Sequence, residues 1–128
     1  PGLDLMSEGL GLAIMSELPL VLIDIQRVCP STGIPTKSEQ TDLLSAVFGR
    51  HGESPLVVLA PDSPSDCFWI VLEAFYLSIK YLTTVIVLSD DNLANSSELW
   101  EIPAVNNSFF DKYSNIEKFL LLFNESRF

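Results

Sequence analysis

Three short runs of mostly branched apolar residues constrain the architecture of this chain. They lie at 19–25 (Pro-Leu-Val-Leu-Ile-Asp-Ile), 56–60 (Leu-Val-Val-Leu-Ala) and 85–88 (Val-Ile-Val-Leu). Each has the length of a strand, and such a nearly continuous apolar run is how a strand buried on both faces of a parallel sheet reads. Parallel neighbours need crossover connections, and the segments between the runs carry helical patterns. Between the first two runs, Leu43, Leu44, Val47 and Phe48 share one helix face, with Gly49 as the stop. Thr36 and Glu39 form a Thr-x-x-Glu capping box that predicts where this helix starts. Between the second and third runs, Ser63 as cap, Pro64 at the first helical position and Asp66 in the first turn predict a helix reaching about Tyr81.

The flanks follow the same logic. Leu3, Met6, Leu10, Ala13 and Ile14 recur mostly at steps of three and four, predicting a helix over 3–16. Gly9 and Gly11 each cost about 1 kcal/mol against alanine in a helix, so both are read as permitting close packing. Ser89-Asp90-Asp91 opens a short helix after the third run. Alternating strands and helices imply right-handed crossovers and an α/β fold with a mostly parallel sheet in three layers. Beyond Pro103 the pattern changes: 106–108 is a linker, and Ser114 with Glu117 caps a predicted amphipathic helix over 114–123. The domain reading is therefore 1–103, followed by a linker and C-terminal helix over 104–128.

Composition narrows the function classes. Of 128 residues, 7 are Lys or Arg and 17 are Asp or Glu, a net charge of −10 that disfavours a nucleic-acid backbone or an anionic membrane surface as partner. No apolar stretch approaches the roughly 20 residues of a spanning helix, and no signal-peptide pattern opens the chain, so a cytoplasmic setting is expected. The start at Pro1 without methionine is read as processing or a cut from something longer. Cys29 and Cys67 form neither a metal pattern nor a disulfide framework.

Ligands of open α/β sheets gather at the carboxyl ends of the strands, so the loop 27–36 after the first strand is the first place to look for chemistry. Arg27 offers a planar fork matched to a carboxylate or phosphate, and Ser31, Thr32 and loop amides complete an anion cradle. Thr36, placed at a helix start, adds the positive end of the helix dipole. The plainer alternative pairs Arg27 with a nearby acid and makes Ser31-Thr32-Gly33 a tight turn. No P-loop, nucleophile elbow or zinc pattern is present. His51, the single histidine, reads as a surface turn residue, and Asp90-Asp91 as a helix cap rather than a metal site.

Several separate strings occur in the order found in one family. They are Pro1-Gly-Leu-Asp-Leu-Met-Ser-Glu8, Asp24-Ile-Gln-Arg27-Val-Cys-Pro-Ser-Thr-Gly-Ile-Pro-Thr-Lys37, Gly49-Arg-His-Gly-Glu-Ser-Pro-Leu56, Val58-Leu-Ala-Pro61, and Leu88-Ser-Asp90 with Leu93-Ala-Asn95. From residue 1 to about Pro103 the chain resembles the alpha subunit of 2-oxoacid:ferredoxin oxidoreductases, particularly the 2-oxoglutarate type.

The resemblance implies part of a pyrimidine-binding domain of a thiamine-diphosphate enzyme. In that family a beta subunit brings the magnesium and diphosphate site and an iron–sulfur cluster, and the complex passes electrons to ferredoxin and forms an acyl-CoA. The family loop Arg-Gly-Gly-Pro-Ser-Thr-Gly-x-Pro-Thr is similar to 27–36 here, so Arg27 and Thr36 inherit contact with the 2-oxoacid carboxylate, with Ser31 and Thr32 shaping the loop. Val28-Cys29 stands where the family has Gly-Gly, which implies backbone strain if the loop needs φ > 0 there. The family's activating glutamate lies upstream of the position equivalent to Pro1. The chain alone is therefore expected to be catalytically silent and to bind no cofactor by itself. The alternatives are a non-catalytic interaction module and a small anion-binding domain.

Overall fold

The computed structural model of the chain describes residues 2–31 and 33–104. The chain divides into two units, Pro1–Glu98 and Leu99–Phe128. The first contains every described element: α1 (Gly2–Leu5), α2 (Ser7–Met15), β1 (Leu20–Gln26), α3 (Leu43–Phe48), β2 (Val57–Leu59), α4 (Asp66–Tyr81), β3 (Thr84–Asp90) and α5 (Asp91–Asn95). In the second, residues 99–104 form neither helix nor strand. The linker at 106–108 and the helix expected over 114–123 lie outside the described residues.

The three strands form one parallel sheet in the order β1-β3-β2, with Leu20 opposite Thr84, Gln26 opposite Asp90, and Val57 opposite Val85. The last run of the sequence is thus the central strand, and Thr84 through Ser89 are all buried. On one face Ile86 and Leu88 pack with Leu3, Leu10 and Ala46 of α1, α2 and α3. On the other, Val85 and Val87 pack with Ala74 of α4, flanked by Ile70 and Leu77. The period-2 alternation of β3 thereby feeds two cores, giving the α/β three-layer arrangement. Burying each of the Val, Leu and Ile side chains among them contributes about 1.5–3 kcal/mol, and each alanine methyl less.

Five expectations change. The run 19–25 is not covered on both faces: β1 is an edge strand, and Ile23 and Ile25 are 49% and 46% exposed. Its face towards α4 extends past what one helix over the sheet centre covers. The predicted helix over 3–16 breaks at Met6 into α1 and α2. Gly9 and Gly11 do not serve close packing, since a Cβ at either would meet nothing within 4 Å. The Thr36–Glu39 box does not start α3. Thr36 sits in a turn with φ 65°, and the helix begins at Leu43 after Asp42. Of its expected apolar face, Leu44 and Phe48 are 71% and 77% exposed, and the residue that enters the core is Ala46.

α4 ends at Tyr81, but its start differs: the helix begins at Asp66 with Ser65 in the cap position, Pro64 lies in the turn before it, and Ser63 acts only by accepting from the Asp66 N–H at 3.2 Å. Other signals act as expected. Gly49 follows α3, and its N–H donates to the Ser45 carbonyl. Asp90 caps α5, its carboxylate accepting from the Leu93 N–H at 2.8 Å. Asp91 accepts from the Asn95 amide, and His51 is exposed. Among the described residues, no helix is long and apolar enough to cross a membrane.

Candidate functional site

The site lies where β1 ends. Gln26, buried at the strand's last position, donates from Nε2 to the Ser89 carbonyl of β3. Its Oε1 accepts from the backbone N–H groups of Thr41 and Asp42, at 3.2 and 3.0 Å. One side chain thus ties the sheet to the segment that enters α3. The intervening loop closes on Val28, whose N–H donates to Lys37 O and whose carbonyl accepts from Ile34 N–H. The Cys29 N–H donates to Glu39 at 3.3 Å, the bond Glu39 makes in place of a capping box.

The expected strain at Val28-Cys29 is not where the loop places it. Positive φ falls instead at Ser31 (67°), Gly33 (82°) and Thr36 (65°). Val28 is hydrogen-bonded on both sides like a strand residue, a setting that suits a β-branched side chain.

Arg27, Ser31, Gln26, Asp24 and Asp42 line a cavity of about 350 Å³, with Ile25 and with Gly2 and Leu5 of α1 on its wall. That volume is of the order of small-ligand sites. Arg27 is half-buried, and among the described residues no carboxylate forms an ion pair with it. The methylene stem of Arg27 passes over Gly33, where a Cβ would lie 2.8 Å from Arg27 Cγ. The structure therefore brings Arg27 and Ser31 together. Thr36 is not among the lining residues, and Thr32 lies outside the described residues.

Two lining acids escaped the sequence reading. Burial, and then the neighbouring Asp42 carboxyl, raise the Asp24 pKa to about 6, the charged amino terminus acting weakly the other way. Asp42 occupies the N-cap position of α3 but makes no side-chain cap bond. The signal available in advance was a charged residue inside an otherwise apolar strand.

A second cavity, about 450 Å³, lies between Val47 and Pro55. Arg50 spans it, donating from Nε, Nη1 and Nη2 to the carbonyls of Ser54, Ala46 and Val47, so all three guanidinium nitrogens are engaged in capping α3. Desolvation lowers the Arg50 pKa.

A family model described as pyruvate flavodoxin/ferredoxin oxidoreductase, thiamine diphosphate-binding, matches residues 1–120. The chain belongs to this family. It is 60% identical over 106 residues to the 2-oxoglutarate oxidoreductase subunit KorA of Mycobacterium tuberculosis, covering 83% of this chain and 16% of that protein. Over 103 residues it is 44% identical to the 2-oxoglutarate synthase subunit KorA of Archaeoglobus fulgidus, covering 80% of this chain and 30% of the relative. A solved 2-oxoglutarate:ferredoxin oxidoreductase from Magnetococcus marinus, with 2-oxoglutarate, coenzyme A and succinyl-CoA bound, superposes with a TM-score of 0.70. The match is 52% identical and covers 73% of this chain and 16% of that one. The chain thus spans less than a third of the length of these members of the pyruvate flavodoxin/ferredoxin oxidoreductase family.

The residues here do not by themselves fit the diphosphate of the family's cofactor. A diphosphate asks for several cationic or metal contacts, whereas the cavity sets one guanidinium against two carboxyls. Among the described residues no group of three or more His, Cys, Asp and Glu is placed to hold a metal. One fork beside one hydroxyl matches a single carboxylate better.

Proposed function

We propose that this chain contributes the substrate-carboxylate loop to the alpha subunit of a 2-oxoacid:ferredoxin oxidoreductase of the 2-oxoglutarate type. The observation that carries the reading is Arg27 at the carboxyl end of β1, lining a cavity with Ser31 and bound to no acid among the described residues. Its guanidinium would grip the substrate's carboxylate through paired N–H donors, and the Ser31 hydroxyl would add a third donor. Thr36 and Thr32 enter through the family resemblance of the loop. A beta subunit, thiamine diphosphate with magnesium, an iron–sulfur cluster, ferredoxin and coenzyme A belong to the assembled enzyme in this reading. Thiamine diphosphate supplies the carbanion-stabilising chemistry of 2-oxoacid decarboxylation. The chain alone holds the acid and does not turn it over.

The test is ligand-induced stabilisation. Adding 2-oxoglutarate at a hundredfold its Kd stabilises a folded chain by about 2.7 kcal/mol, visible as a rise in Tm. Arg27→Ala should abolish the rise, and Arg27→Lys should retain only part, because an ammonium lacks the planar fork. An equal rise in Arg27→Ala would end the reading.

One observation favours a docking role instead: β1 is an edge strand with Ile23 and Ile25 exposed. Size-exclusion chromatography at several concentrations separates the two. Concentration-dependent association without any effect of 2-oxoglutarate would support the interaction module.

A further inference from the structure

The cavity beside Arg27 holds three charged side chains, and the arrangement of the two acids carries more than the family reading uses. Asp24 projects from β1 and Asp42 from the residue before α3, and both line the cavity together with Arg27. The Asp24 Oδ2 atom is buried, and among the described residues no N–H or hydroxyl reaches it. Its polar neighbour is the Asp42 carboxyl. Asp42 is itself buried, and its own backbone N–H is taken by Gln26. Two carboxyls make a hydrogen bond only when one of them carries a proton. Like charges on neighbouring, partly buried carboxyls do not both ionise readily.

We propose that Asp24 and Asp42 share one proton and that this proton controls whether the cavity accepts a small acid's carboxylate beside Arg27. The inference rests on the anion-site reading of Arg27. With the proton in place the pair carries one negative charge, which Arg27 balances, and an entering carboxylate meets a neutral cavity. When the proton leaves, the same carboxylate meets a net negative charge in partly desolvated surroundings, where repulsion is strong. Binding of the anion and uptake of the proton are therefore linked, each favouring the other by the same factor.

Arg27 enters the cavity from the segment after β1, and the amino-terminal charge lowers the Asp24 pKa. Gly2, Leu5, Ile25, Gln26 and Ser31 bring no charge to the wall. Asp90 is committed to the α5 cap and Glu39 to the Cys29 N–H. The Asp24 pKa of about 6 puts the proton's departure within reach of ordinary buffers.

The experiment is calorimetric titration of 2-oxoglutarate into the 128-residue chain between pH 5.5 and 7, below the range where an amino terminus titrates, in buffers of different ionisation enthalpy. Both carboxyls of the ligand are already ionised in this range, so a slope belongs to the protein. Wild type should weaken several-fold over the range, approaching tenfold per pH unit at its upper end, with net proton uptake on binding. Asp24→Asn keeps a donor towards Asp42 and should bind with the wild-type affinity of low pH, without slope or proton uptake. Asp42→Asn should behave the same way and guards against a misfolded first variant. Retention of the slope and proton uptake by both variants would overturn the proposal. A flat wild-type profile with binding still lost in Arg27→Ala would sink the shared proton while leaving the anion site intact. No binding to wild type at any pH would remove the Arg27 reading and this one with it. In the ligand-free chain, the Asp24 carboxyl ¹³C shift should follow a raised titration that Asp42→Asn changes. An Asp24 titration at the ordinary carboxylate value, the same in both proteins, would refute the sharing.

Discussion

Arg27 lies across Gly33: a Cβ added to that glycine would stand 2.8 Å from Arg27 Cγ and 2.6 Å from the Val28 carbonyl oxygen. With φ at 82°, Gly33 also occupies backbone space that L side chains rarely adopt. Gly33→Ala should therefore destabilise the chain by at least about 1–2 kcal/mol, the cost of a left-handed residue with a side chain. It should also weaken the Ile34-to-Val28 bond that closes the loop. The expected outcome is a lower urea midpoint together with loss of the 2-oxoglutarate-induced rise in Tm. Retention of both would mean that the guanidinium's position does not depend on this contact.

How much of this was legible in the sequence depends on the range of the interaction. The run 85–88 reads as a buried strand because burial on both faces leaves only apolar residues, and it is the central strand β3. Asp90 reads as a cap because a cap is completed within three residues, and the Ser63 hydroxyl makes a bond of the same short range to the Asp66 N–H although Ser65 holds the cap position of α4. Thr36 and Glu39 matched a cap by spacing, but the Cys29 amide ten residues upstream took the glutamate. The ends of β1 and α3 meet through Gln26, and nothing in local spacing announces a bond from residue 26 to residues 41, 42 and 89. For the same reason Arg27 was visible as a fork at a strand end, while the Asp24–Asp42 pair was not.

Gly9 and Gly11 are exposed positions of α2 with free space where a Cβ would go. Neither has a positive φ. Alanine there adds no clash and reduces the entropy lost on folding. Each substitution should stabilise by about 0.5–1 kcal/mol, and the two together by nearly the sum, measured as a shift of the urea midpoint at constant m-value. Destabilisation by either would show that the face of α2 is in use by something besides solvent.

Arg50 holds the end of α3 through three backbone carbonyls, those of Ala46, Val47 and Ser54. Helix C-termini leave such carbonyls unsatisfied, and α3 has no other basic residue in its last turn. Arg50→Ala should cost about 1–2 kcal/mol. Arg50→Lys should recover only part, since a single ammonium does not reproduce the fork that spans both the helix end and the returning loop. Hydrogen exchange should localise the loss to residues 43–55 and leave the amides of β3 protected.

The Asp24 carboxyl also makes a prediction about stability that needs no ligand. Burial and Asp42 raise its pKa from 3.8 to about 6 in the folded chain. Between those values the folded state holds a proton that the unfolded state releases. This contribution to stability is therefore fully present below pH 3.8 and is lost as pH rises through 6. Other acids contribute in both directions, so the difference between wild type and Asp24→Asn isolates the group. Near pH 4 the two should melt alike, because wild-type Asp24 is protonated and both side chains offer Asp42 a donor. Above pH 7 the variant should be the more stable, its amide still donating where the wild type sets two carboxylates against each other. The difference is tempered by the partial exposure of Asp24, which lets solvent screen the pair. A Tm difference that opens between pH 4 and 7 with this sign is the expected result. A constant difference, or one of opposite sign, would show that Asp24 is ionised throughout and that Asp42 does not share its proton.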